Sequence, residues 1–179
     1  LVYDKNLGYC GLMNPTFDAP LVLLMQNFFT ISFLIFLGIC IYLYRAKSKY
    51  LLALLPLLAL SSHQFEEYVL SPLLFGDYYH FLNWAYRNAM DISPMEVTLL
   101  NLTPYIILLP ALIISRARSE KVFGILFLFN NALTMANASF HIGISTAQNI
   151  FSPGMVSSLF FCIPVSYTHL RAHETFFDR

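Results

Sequence analysis

The chain has 179 residues, of which 58% are hydrophobic and only 11% charged, with ten basic and ten acidic side chains. A soluble domain usually carries about 25% charged residues, so this composition excludes an ordinary soluble globule and predicts an integral membrane protein. A net charge of zero gives no footprint for nucleic acid. The three cysteines, Cys10, Cys40 and Cys162, lack metal-ligand spacing, and two of them lie inside apolar runs, which argues against a disulfide framework.

In chain order, four apolar segments are long enough to cross the hydrocarbon, which takes roughly 20 helical residues. They cover residues 21–44, 50–75, 97–115 and 122–147. A fifth, "GMVSSLFFCIPV", begins at Gly154 and stops near residue 164, too early to span. The expected fold is all-α: one integral membrane domain over residues 1–164, a bundle of about five transmembrane helices, four complete and a fifth truncated. Short loops carry the basic residues: Arg45, Lys47 and Lys49 after the first span, and Arg116, Arg118 and Lys121 after the third. The positive-inside rule makes both loops cytoplasmic. The N-terminus and loop 76–96, rich in Tyr and carrying the chain's Trp, are then extracytoplasmic, and the plasma membrane is the expected location. The last stretch, "VSYTHLRAHETFFDR", breaks the pattern. Residues 165–175 resemble one reading frame of a sequencing adapter, so residues 165–179 are expected to be a non-native tail, and the helical His169, His173 and Glu174 arrangement is set aside.

The second span contains "SSHQFEEYVL", in which His63, Glu66 and Glu67 fall at i, i+3 and i+4 and share one helix face. Ala59 and Leu70 frame that face, and Pro56 below it removes a backbone donor and predicts a kink. Charged groups at membrane depth are costly and usually serve a function. Two carboxyls and an imidazole can hold a divalent cation, or share a proton. On the fourth span Asn130, Asn137 and His141 form a second polar stripe, with Asn137 one turn from His141 and able to orient its ring. At a rise of 1.5 Å per residue, His141 and Asn137 lie roughly 9–15 Å inside the outer face, and His63, Glu66 and Glu67 roughly 12–18 Å inside. Gln26, Asn27 and Asn101 complete an outer-half polar layer. His80 and Asp77 in the outer loop are expected to face solvent at the interface.

"HQFEE" is an instance of the His-x-x-Glu-Glu signature. Together with "NASFHIG" and "FSPGMVSSLFFCIP" in that order, it resembles the HXXEE family of small multi-pass membrane proteins over roughly residues 50–164. The resemblance implies His63, Glu66, Glu67, Asn137 and His141 as functional residues, and Ser152, Pro153 and Gly154 as a turn opening the last helix.

The leading expectation is a metal-dependent intramembrane hydrolase or related lipid-modifying enzyme. Its ion (Zn, Fe or Mn) would sit on His63, Glu66 or Glu67 or both, and His141, with Asn137 in support. An unliganded Glu66 or Glu67 would act as general base. The lipid bilayer is the expected partner, an amphipathic or lipid molecule the expected substrate, and nucleic acid is not expected. The rivals are a metal-independent proton-transfer protein, either a lipid isomerase or a small proton-coupled transporter, and a non-catalytic membrane scaffold.

Overall fold

A computed structural model of the chain describes residues 19–48, 50–88 and 93–168. These are helical with short turns, and no strand occurs among them. The elements are α1 (Ala19–Arg45), α2 (Tyr50–Phe65), α3 (Ser71–Phe75), α4 (Phe81–Arg87), α5 (Pro94–Thr103), α6 (Leu109–Arg118), α7 (Glu120–Gln148) and α8 (Met155–Ser157). The last helix starts as α8 and runs on to Thr168. Cys10, Lys49, Asp91 and the His169, His173 and Glu174 arrangement lie outside the described residues.

Among the described residues, three helices are long and apolar enough to cross a membrane: Pro20–Arg45, Met95–Arg118 and Glu120–Gln148. A shorter apolar helix, Met155–Thr168, accompanies them. The expected second span is helical from Tyr50 to Phe75, but its polar segment from Ser61 to Glu67 dilutes its apolarity.

The distribution of side chains inverts that of a soluble globule. Leu23, Leu24, Ile31, Leu34, Ile106 and Ile113 point outward and are exposed, while His63, Gln64, Glu67, Asn130, Thr134 and His141 are buried. Only a hydrocarbon solvent makes that arrangement favourable, because exposed apolar groups then cost nothing and polar groups must find partners inside. The chain is an all-α membrane protein.

Prolines explain where the helices widen. A π turn at Glu66–Leu70 joins α2 to α3, another at Pro104–Leu108 joins α5 to α6, and a third at Ser158–Cys162 follows α8. Each is followed two residues after its end by a proline, namely Pro72, Pro110 and Pro164. A helical proline has no N–H for the carbonyl four residues back, and its ring clashes with that carbonyl. Widening the preceding turn relieves both problems. Pro56, by contrast, lies within α2, which remains helical on both sides of it.

The apolar core gathers Met25, Phe29 and Phe36 of α1 against Leu57, Tyr68, Phe81, Trp84 and Tyr105. Aromatic edges carry much of this packing: Phe28 meets Phe29 and Tyr105 edge-on, with ring centroids 5.5 and 5.3 Å apart. A smaller cluster of Ala59, Ala138 and Cys162 joins α2, α7 and the last helix through small side chains, which let membrane helices approach closely. That close approach brings His63, His141 and the start of the last helix together.

Candidate metal centre

Glu67 lies in the π turn after α2, one turn beyond His63, and His141 reaches it from α7. The Glu67 Oε1 atom is 3.0 Å from His141 Nε2 and 3.5 Å from His63 Nε2. The two rings stand edge to face with centroids 4.6 Å apart. All three side chains are at most 2% exposed. One ligand atom from each lies within 4.8 Å of the others. Despite this proximity, His63 Nε2, His141 Nε2 and Glu67 Oε2 lack an aligned hydrogen-bond partner. The two Nε2 atoms and Glu67 Oε1 thus converge on one point inside the bundle.

The far sides of both rings are held by serines. His63 Nδ1 is 3.0 Å from Ser157 Oγ and 3.3 Å from Ser158 Oγ, and His141 Nδ1 is 2.8 Å from Ser152 Oγ. Each hydroxyl already donates to a carbonyl: Ser157 and Ser158 to Gly154 O at 3.1 and 2.7 Å, and Ser152 to Pro153 O at 3.3 Å. A hydroxyl whose proton is so engaged can accept from the ring, and an Nδ1–H tautomer would turn the Nε2 lone pair toward the space shared with Glu67 when an ion takes the place of the Nε2–Glu67 contact. Metal-ligating histidines are oriented in the same way, by a second group that takes the other ring N–H.

Gly154 makes the approach of the last helix possible. Its φ is +88°, and a Cβ there would come within 2.5 Å of His63 Cε1 and 2.9 Å of Glu67 Cγ. The turn before it is closed by the left-handed Asn149 at the end of α7 and by Ser145 Oγ, which accepts from Ser152 N at 3.2 Å.

The glutamates expected to act together face different partners. Glu66 turns to the last helix, where its two carboxyl oxygens accept from Val156 N and Ser157 N at 3.1 and 2.6 Å; the convergent group is His63, Glu67 and His141. Asn137 is half-buried, and the contact to the His141 ring expected of it is made by Ser152 instead. Asn27, expected in the polar layer, is exposed. Asn101 belongs to a separate network that fastens α5 to α2: it accepts from Gln64 Nε2 at 3.0 Å through its carbonyl and donates to Tyr68 Oη at 2.7 Å, while Tyr105 donates to Gln64 Oε1. Asn130 is buried, and its carbonyl accepts from Thr134. Sequence reasoning missed Gln64 and the three serines. Only the serine-rich "SPGMVSS" beside a turn hinted at the latter.

His80 also departs from expectation. Asp77 is exposed, but His80 is 2% exposed, sits edge-on to Tyr68 at 5.1 Å, and has both ring nitrogens without a hydrogen bond. Burial holds its pKa down at about 4, against the opposing pull of Glu67 and Asp77. The folded state therefore prefers neutral His80. Its contribution to stability is complete above the unfolded value of about 6.5 and is lost as pH falls toward about 4. Protonation should destabilise the protein by up to about 3 kcal/mol, and His80→Phe should flatten the unfolding profile between pH 6.5 and 4. Equal pH dependence in both proteins would contradict this.

The fold and the site define a class: an all-helical membrane protein with a buried histidine–glutamate centre. The chain belongs to the HXXEE family, whose model, described as protein of unknown function with HXXEE motif, matches residues 52–169. Comparison with curated proteins and with solved structures finds no match.

Proposed function

We propose that the chain is a membrane-embedded, metal-dependent enzyme of hydrolase or related lipid-modifying type, with His63, Glu67 and His141 as the ligands of one Zn, Fe or Mn ion. The observation that carries this reading is the convergence of two Nε2 atoms and one carboxyl oxygen in a buried site, with both Nδ1 atoms against serine hydroxyls. Two histidines and a carboxylate are the protein ligands of several catalytic zinc sites and of non-haem iron sites, both of which keep a position open.

His63, Glu67 and His141 would hold the ion, which would supply Lewis acidity and activate water near neutral pH. Glu67 Oε2, which has no hydrogen-bond partner, is placed to take up a proton within that centre. Glu66 is engaged with backbone amides and plays no part in that step.

An apolar cavity of about 440 Å³ between α1, α2 and the last helix supports an amphipathic or lipid substrate. Phe33, Leu37, Leu58, Leu74 and Phe161 line it, and Glu66 and Ser157 form the wall toward the metal centre. Its volume is in the usual range for small-molecule sites. With the basic residues near Arg45 and Arg116 on the cytoplasmic side, the centre lies in the outer half of the membrane and takes its substrate from the outer leaflet.

The test is reconstitution of the full chain in vesicles of natural lipid extract. One divalent ion per chain and lipid turnover that stops on chelation and returns with metal are expected. Turnover that survives chelation and follows pH would reassign the centre to proton transfer by Glu67 and the histidines.

A further inference from the structure

The motif holds two adjacent glutamates, yet only Glu67 joins the convergent group. We propose that Glu66 is a positioning residue: by clamping the first amides of the last helix, it sets Ser157 and Ser158 against His63 and so tunes the metal affinity of a centre it does not touch. This rests on the metal-binding reading above.

The first amides of any helix lack an intrahelical acceptor, and within hydrocarbon no water replaces it. Glu66 meets this need with both carboxyl oxygens, at 3.1 Å from Val156 N and 2.6 Å from Ser157 N. Ser157 carries the link onward, because its amide is held by Glu66 and its hydroxyl is 3.0 Å from His63 Nδ1. Ser158 adds a second contact to the same nitrogen at 3.3 Å. Glu66 and Ser157 are separated by 91 positions, so tertiary contacts set their distance, and this clamp acts there beside the close packing of Ala59, Ala138 and Cys162. Gly154 allows the approach, since its hydrogen occupies the place where a side chain would strike His63 and Glu67. The two glutamates thus divide the work, with Glu67 offering oxygen to the ion while Glu66 holds the turn that orients a ligand ring.

The experiment uses the full chain purified in detergent, with zinc affinity measured by competition against a chelating dye and folding checked by circular dichroism. Glu66→Gln should still bind one ion but about 10–100-fold more weakly, the range for residues that orient metal ligands. The Ser157→Ala/Ser158→Ala pair should lose a similar factor. The triple variant should bind no more weakly than the worse of the two, because contributions along one path are not additive. Multiplying losses would overturn the proposal by showing that Glu66 acts independently of the serines. Wild-type affinity in Glu66→Gln would also overturn it, as would wild-type affinity in the serine pair, which carries the test alone if Glu66→Gln does not fold. A wild-type protein that takes up no zinc, iron or manganese removes the metal reading and this one together. A metal-binding wild type, with loss confined to Glu67→Gln, removes this one alone.

Discussion

On the metal-binding proposal, Glu67→Gln should leave the purified protein folded but unable to hold one ion per chain, and His63→Ala and His141→Ala should do the same. The Glu67 carboxyl faces both Nε2 atoms, at 3.0 and 3.5 Å, so on the metal reading its loss removes the ligand central to the proposed set. The expected weakening exceeds the roughly 10–100-fold that follows loss of an orienting residue. Elemental analysis of wild type and variants, purified side by side without chelator, reads the result directly. Asn137→Ala is the informative control, because Ser152 Oγ rather than Asn137 orients the His141 ring at 2.8 Å; it should keep its metal. A wild-type protein that neither retains nor takes up zinc, iron or manganese would rule out the metal reading.

Gly154→Ala is expected to be the most damaging single substitution outside His63, Glu67 and His141. The backbone there has φ +88°, where a Cβ costs about 1–2 kcal/mol by itself. The added methyl would also meet His63 Cε1 at 2.5 Å and Glu67 Cγ at 2.9 Å. Neither can yield freely, because serines hold the His63 ring from behind and Glu67 is packed between two imidazoles. The combined cost should reach about 3 kcal/mol or more, the scale of strain at a special backbone position plus core overpacking. Loss of bound metal should accompany it. Gly38→Ala and Gly143→Ala serve as controls, since a Cβ at either meets nothing within 4 Å and alanine is favoured inside a helix by about 0.5–1 kcal/mol. Thermal unfolding in detergent distinguishes the cases, and a Gly154→Ala protein with wild-type midpoint and metal content would show that the turn tolerates a side chain.

Much of the architecture is written in composition and periodicity. A membrane helix is specified by a long apolar run, and such runs survive any rearrangement of their neighbours. That is why residues 21–44, 97–115 and 122–147 correspond closely to helices of the fold. The pairing of His63 and Glu67 was equally legible, because i and i+4 share a face in any helix. Their meeting with His141 was foreshadowed by depth, since polar groups at one level in hydrocarbon have only each other as partners.

The division between the two glutamates was not legible. Adjacent residues lie 100° apart around a helix, but which of them faces His141 and which the last helix depends on how three helices pack. The π turn at Glu66–Leu70 changes that angle at the same point. The proline signal for such turns was present at Pro72, Pro110 and Pro164, yet a proline announces a disturbed turn without saying what the disturbance will aim at. The serines were invisible as functional groups for the same reason: a hydroxyl has no role until an imidazole is placed against it. The sequence by itself determined an all-helical membrane chain with a charged His63–Glu67 face and a histidine at matching depth. Only the tertiary structure decided that Glu67, and not Glu66, joins the two histidines, because packing the last helix through Gly154 gives Glu66 two backbone amides to hold.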